Sequence, residues 1–204
     1  RQVAKTPLGC APMLTDLPNM LTMSRIFAIP LLVLLEAIGA PWADFCAALL
    51  FTLAGITDYL DGKLARELAQ LSNFGRMLDP IADKLLIGAT LMCLVGFKHM
   101  PGFGIYPAIV IMLREILVSG LREYLAEIRI GLPVTKLAKW KTGVQMVALG
   151  LLLLGDSGAH FIGLGALHIG AIGFVLLWLA AALTLITGWD YLTAGLRHAS
   201  APRA

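Results

Sequence analysis

Charge is what this chain has least of. Of its 204 residues only 14% are Asp, Glu, Lys or Arg, while 58% are hydrophobic. The mean hydropathy of +0.82 lies far above that of a soluble domain and points to an integral membrane protein. Cysteine is scarce as well. Cys10, Cys46 and Cys93 are scattered, two of them inside apolar segments, with neither a disulfide framework nor metal-ligand spacing, so they read as small core hydrophobes. The four histidines, His99, His160, His168 and His198, all stand far along the chain from its acidic stretch, so a histidine general base is not expected there. There is no Ser-His-Asp arrangement, phosphate-cradling glycine loop, nucleic-acid patch, internal repeat or low-complexity tract. The first apolar segment is followed by more apolar sequence, so a cleavable signal peptide is not expected either.

Against this background the stretch DYLDGKLARELAQLSNFGRMLDPIAD, residues 58–83, stands out. Asp58 and Asp61 are three apart and so project from one face of a helix, with Gly62 and Ala65 beside them. Asp79 and Asp83 are four apart, with Gly75 one turn before Asp79 on the same stripe. Two such helix ends facing each other make an acidic hollow lined by bare backbone. Like charges and burial both oppose ionisation of four neighbouring carboxylates. Bound divalent cations resolve that conflict, and an oxygen-only ligand set favours hard ions such as Mg²⁺ or Mn²⁺. Helix capping or a solvated loop would explain one such aspartate, but not four at these spacings.

Six membrane helices are expected, at Met20–Ile38, Pro41–Ala65, Phe74–Phe97, Ile105–Glu127, Leu137–Leu154 and Gly163–Leu192. Pro30 and Pro80 fall inside apolar helices, where kinks are expected. Residues 1–16 read as a cytoplasmic arm, 17–195 as one helical membrane domain and 196–204 as a tail. Orientation follows the positive charges. Lys63, Arg66 and Arg76 lie between the second and third helices. Arg122, Arg129, Lys136, Lys139 and Lys141 lie around the fourth connection, and Lys98 stands alone on the other side. Both termini and the aspartate stretch are therefore expected on the cytoplasmic side.

Other polar residues interrupt the apolar segments. Asn19, Thr22 and Arg25 share a helical face at the start of the first helix, as caps with a snorkelling arginine or as ligand contacts. Arg114 and Arg122, two turns apart with Glu115, Ser119 and Glu123, form a structural ion-pair network or an anion site. Lys139 and Lys141 open the fifth helix, as ordinary cytoplasmic charge or as part of that anion site. An acidic cation site beside converging Arg and Lys suits a substrate pair with two phosphates, one bound through metal and one held by side-chain forks. Glu36 has no assigned role. Thr142 and Gln145 are expected to hydrogen-bond between helices.

The eight positions Asp58, Asp61, Gly62, Ala65, Arg66, Gly75, Asp79 and Asp83 match D-x2-D-G-x2-A-R-x8-G-x3-D-x3-D without departure. The chain thereby resembles the CDP-alcohol phosphotransferase family. The runs at 21–25, 114–123 and 139–146 further resemble the bacterial branch that uses glycerol 3-phosphate, over about residues 17–150. The resemblance implies transfer of a phosphatidyl group from CDP-diacylglycerol to glycerol 3-phosphate, with two Mg²⁺ or Mn²⁺ ions on Asp58, Asp61, Asp79 and Asp83. It implies Asp83 as general base. It implies nucleotide contacts from Asn19, Thr22, Gly62, Ala65, Arg66 and Gly75, and acceptor-phosphate contacts from Arg114, Arg122, Lys139 and Lys141. A homodimer, multi-pass in a bacterial inner membrane, is implied too. Relatives that use serine, inositol phosphate or phosphatidylglycerol share the aspartate pattern and are the alternative. A cation transporter is the rival from another class, but it would place its carboxylates at mid-membrane on several helices.

Overall fold

The computed structural model describes residues 17–68, 73–97, 99–127 and 136–199, with side chains described for 20, 22–58, 78–97, 99–126, 137–189 and 191–193. The expected arm at 1–16 and the last five residues of the tail lie outside the described residues. Six α-helices follow in order: α1 (Leu17–Ile38), α2 (Pro41–Leu68), α3 (Asn73–Gly96), α4 (Ile105–Glu127), α5 (Lys136–Phe161) and α6 (Ile169–Ala199). Short 3₁₀ turns at Gly102–Gly104 and Gly165–Leu167 precede α4 and α6. No strand occurs among the described residues.

Local chemistry sets the helix ends. Gly39 takes φ 64°, which stops α1. Pro41 then opens α2 with φ already suited to the first helical position. Pro30 and Pro80 both lie inside helices, as their apolar contexts predict. Several boundaries differ from expectation: α1 starts at Leu17 rather than Met20, α2 ends at Leu68 rather than Ala65, and α6 ends at Ala199 rather than Leu192. In α5 the first helical segment ends at Leu154, as expected, where Gly155 at φ 55° and ψ −176° breaks the path, and a second segment then runs on to Phe161. The sixth helix starts at Ile169 rather than Gly163. Gly163 at φ 80° and His168 at φ 44° turn the chain first, and the His168 carbonyl accepts from the Ala171 N–H at 3.0 Å.

Among the described residues three stretches, Gly102–Ala126, Leu137–Phe161 and Ile169–Thr193, are long and apolar enough to cross a bilayer. α2 carries the most charge of the six helices, with Asp44, Asp58, Asp61, Lys63, Arg66 and Glu67 along its length. The exterior is apolar: Phe27, Leu113, Val175 and Trp189 point outward, as on a surface that meets lipid.

Helix α5 lies along α6 and α2, α1 packs on α2 and α3, and α4 packs on α6. Their shared core holds Leu32, Phe51, Leu86, Leu94, Ile111, Leu149, Leu152 and Leu177, all at most 2% exposed. Lipid tails are as apolar as leucine, so close packing rather than transfer from water must hold such helices together. Small residues allow it. A Cβ at Gly173 of α6 would stand 3.1 Å from the Leu152 backbone nitrogen of α5, so bare backbone is needed there. Because α1 touches both α2 and α3, one α1 side chain can reach the acidic ends of both.

Candidate active site

Arg25 is that side chain. It is 1% exposed, one turn beyond Thr22, which is 4% exposed. Its Nη1 donates to Asp58 Oδ1 late in α2, and its Nη2 donates to Asp79 Oδ1 early in α3 at 2.7 Å. Of the two alternatives the sequence leaves open at Arg25, the snorkelling one does not hold. The guanidinium turns inward, because two carboxylates from neighbouring helices compensate its charge better than the headgroup region.

Two carboxylate oxygens from different helices thus lie close enough to share one cationic group. That convergence, with an all-oxygen donor set, is the observation on which a hard divalent cation fits here. Asp83 follows Asp79 by one turn and lies within electrostatic reach of Asp58, Asp79, Arg25 and Glu115. Asp58 remains 37% exposed at its side chain and Asp79 48%, so the hollow stays open to ligands. Positions 19, 61, 62, 65, 66 and 75 lie in helices α1, α2 and α3. The side chains expected there, of Asn19, Asp61, Ala65 and Arg66 among them, lie outside the described residues.

Glu115 of α4 joins the acidic hollow to the basic residues. It accepts from Lys141 Nζ of α5, and Arg114 Nη1 stands 3.8 Å away. Lys84 of α3 donates to Ser119 of α4 one turn further on. Arg114 and Arg122 grip Tyr191 of α6 between them. Arg114 lies over the ring at 5.6 Å and donates to Thr187 Oγ1 at 3.0 Å. Arg122 lies over the same ring at 5.2 Å and donates to its hydroxyl at 3.1 Å. Gly188 leaves space for this: a Cβ there would come 3.1 Å from Arg114 Cγ.

The four basic residues expected to act together are not all on one face. Lys141 is 2% exposed and turned inward, whereas Lys139 is exposed. Two residues apart on a helix is about 200° of rotation, so one of the pair must face away from the other. Thr142 also departs from expectation. Its hydroxyl donates to Ala138 O at 3.1 Å within its own helix, not across to another. Gln145 lies one turn beyond Lys141, 1% exposed, with neither amide atom hydrogen-bonded to a described residue.

Tyr191 and Thr187 escaped the sequence reading, and Glu115 entered it only as a neighbour of Arg114. Tyr191 and Thr187 belong to a helix whose apolar run masks them, and their partners stand 69 and 73 residues away. The signal that remained was a Thr and a Tyr four apart, Thr187 and Tyr191, at the end of that run.

Comparison with known proteins agrees with the geometry. A family model described as CDP-alcohol phosphatidyltransferase matches residues 15–186. A protein of Rickettsia bellii named CDP-diacylglycerol--glycerol-3-phosphate 3-phosphatidyltransferase is 46% identical over 179 residues, 88% of this chain and 94% of its own length. Proteins of the same name from Cereibacter sphaeroides and Shigella flexneri are 41% and 38% identical, and cover 90% and 88% of this chain and 96% and 94% of their own lengths. The matched span takes in all four aspartates and every helix that positions them, and on that ground the chain belongs to the CDP-alcohol phosphatidyltransferase family.

Proposed function

We infer that this protein transfers the phosphatidyl group of CDP-diacylglycerol to sn-glycerol 3-phosphate, giving phosphatidylglycerol phosphate and CMP. The observation that carries this reading is the convergence of Asp58 and Asp79 on one guanidinium, with the Glu115–Lys141 pair alongside. The names of the three relatives point to the same acceptor.

In this reading Asp58, Asp61, Asp79 and Asp83 hold two ions of Mg²⁺ or Mn²⁺. When bound, such ions neutralise the donor diphosphate and stabilise charge on departing CMP. The protein's own groups do the rest. Asn19, Thr22 and Arg66 contact the nucleotide, and Gly62, Ala65 and Gly75 leave it room. Arg114, Arg122 and Lys141, with Lys139 at the rim, bind the acceptor phosphate and set its free hydroxyl toward the hollow. Asp83 accepts the hydroxyl proton as the oxygen bonds to the diacylglycerol-linked phosphorus and the phosphoanhydride bond to CMP breaks. Gln145 adds a donor and an acceptor on the Lys141 face.

All six helices span the membrane as one domain, residues 17–195. The site and both termini face the cytoplasm, as the positive charges direct, and the setting is a bacterial inner membrane. That orientation puts the donor's diphosphate at the surface, its acyl chains in lipid and its cytidine toward water. A homodimer is the working assembly.

An acceptor panel tests the reading. Purified protein with CDP-diacylglycerol is offered glycerol 3-phosphate, serine, inositol phosphate or phosphatidylglycerol, and CMP release is scored. Release with glycerol 3-phosphate is expected; release with another acceptor alone overturns the assignment.

A further inference from the structure

A second group of titratable side chains lies away from the aspartate hollow. Glu36 closes α1, Asp44 sits in the first turn of α2, and His99 lies in the turn between α3 and α4. Asp44 precedes Asp58 by fourteen residues on one helix, about 21 Å of rise, so the group stands at the other end of the bundle.

The three converge closely. His99 Nε2 is 2.9 Å from Glu36 Oε2. One ligand atom from each of Glu36, Asp44 and His99 falls within 4.8 Å of the others. Glu36 is 1% exposed and Asp44 3%. Glu36 Oε1 and Asp44 Oδ1 are enclosed, and neither is hydrogen-bonded to a described residue. Two enclosed carboxylates meet one imidazole, so the imidazole can offer a cationic partner to both only by being shared. Unpaired charge is costly in an apolar bundle.

The surroundings are shaped for the group. Ser157 of α5 donates to the other Asp44 oxygen, Oδ2, and so orients that carboxylate. α5 breaks at Gly155 beside the imidazole: a Cβ there would lie 3.6 Å from His99 Nδ1. Gly158 lets the next turn approach, since its Cβ would stand 3.3 Å from Asp44 Cβ. His99, with 14% of its side chain exposed, is the open edge through which an ion can enter.

We propose that Glu36, Asp44 and His99 form a second divalent-cation site, of the zinc class, distinct from the catalytic hollow. One nitrogen and two carboxylate oxygens are a ligand set for a borderline dication, whereas the hollow offers oxygen alone. A dication balances both carboxylates and leaves the imidazole neutral. It ties the α1–α2 turn to the α3–α4 turn at the end of the bundle away from catalysis. The role is structural.

The test uses the purified full chain, stripped with EDTA and reloaded with Zn²⁺. X-ray absorption at the zinc edge should show an imidazole in the zinc shell. His99→Gln and Glu36→Gln should each lose one equivalent of zinc and the zinc-dependent rise in Tm, while CMP release with Mg²⁺ continues. His160→Gln should lose neither. A zinc shell of oxygen alone, or unchanged zinc content in both variants, overturns the site. If neither variant folds, ¹⁵N resonances of the wild-type histidines decide: a zinc-induced shift at His99 Nε2 supports the site and its absence overturns it. Failure here leaves CMP release untouched, and failure of the acceptor panel leaves zinc content untouched.

Discussion

Asp83 and Arg122 carry the sharpest expectations at the scale of single residues. Asp83→Asn keeps the shape of the carboxylate and removes its proton affinity. It should cut kcat about 100-fold or more, the usual worth of a positioned base, with lipid-nucleotide binding largely kept. Single-turnover CMP release and a donor-binding assay separate the two, and a near-normal rate would remove the base from Asp83. Arg122→Ala deletes a charge-assisted donor on the acceptor side but leaves Arg114 over Tyr191. The KM for glycerol 3-phosphate should rise about tenfold or more, with kcat moved less; an unchanged KM would take Arg122 out of the acceptor pocket. His99 gives a pH expectation for metal-stripped protein. The hydrogen bond with Glu36, helped by the charges of Glu36 and Asp44, holds its imidazole above the ordinary histidine range in spite of burial. Its contribution to stability is therefore complete below the ordinary pKa of 6.5 and is lost as pH rises through the raised value. Thermal melts from pH 6 upward should show this decline, and His99→Gln should flatten it.

At the scale of helices, spacing decides whether the hollow forms. Arg25 reaches Asp58 and Asp79 only because α1 nests against both α2 and α3. The α5–α6 pair is the longest contact in the bundle and depends on bare backbone at Gly173, where a Cβ already meets Leu151, Leu152 and the Leu152 nitrogen at 3.0 to 3.1 Å. Gly173→Leu should push α6 from α5 and destabilise the protein by about 1–3 kcal/mol, the usual range for overpacking. A lowered Tm in detergent measures it. Since α6 carries Tyr191, the acceptor KM should rise as well. The break at Gly155 belongs to this scale too. It lets α5 continue to Phe161 and deliver Ser157 to Asp44, which a straight helix ending at Leu154 would not do.

The whole molecule separates two chemistries by the length of its helices. Carboxylates and basic groups for phosphate transfer gather at one end, and the Glu36–Asp44–His99 group at the other. EDTA treatment should abolish CMP release, and Mg²⁺ or Mn²⁺ should restore it; activity that survives exhaustive chelation would remove the cations from the reaction. The apolar belt on the outside explains why so little charge is available.

Much of this was legible along the chain. Apolar runs of bilayer length set three of the helices, since a helix satisfies its own backbone polar groups. The three- and four-residue spacings of Asp58, Asp61, Asp79 and Asp83 put carboxylates on common faces, because a helix repeats every 3.6 residues. Those are local properties, and neighbours in sequence suffice to determine them. Which residue answers which charge was not local. Arg25 meets Asp79 from 54 residues away, Lys141 meets Glu115 from 26, and Ser157 meets Asp44 from 113. The inward turn of Arg25 and Lys141, the outward turn of Lys139, and the pairing of the unassigned Glu36 with His99 depend on how six helices lie against one another. Only packing of the folded bundle decides that, since each helix face carries polar groups with several conceivable partners and the cost of leaving one unpaired in lipid selects among them.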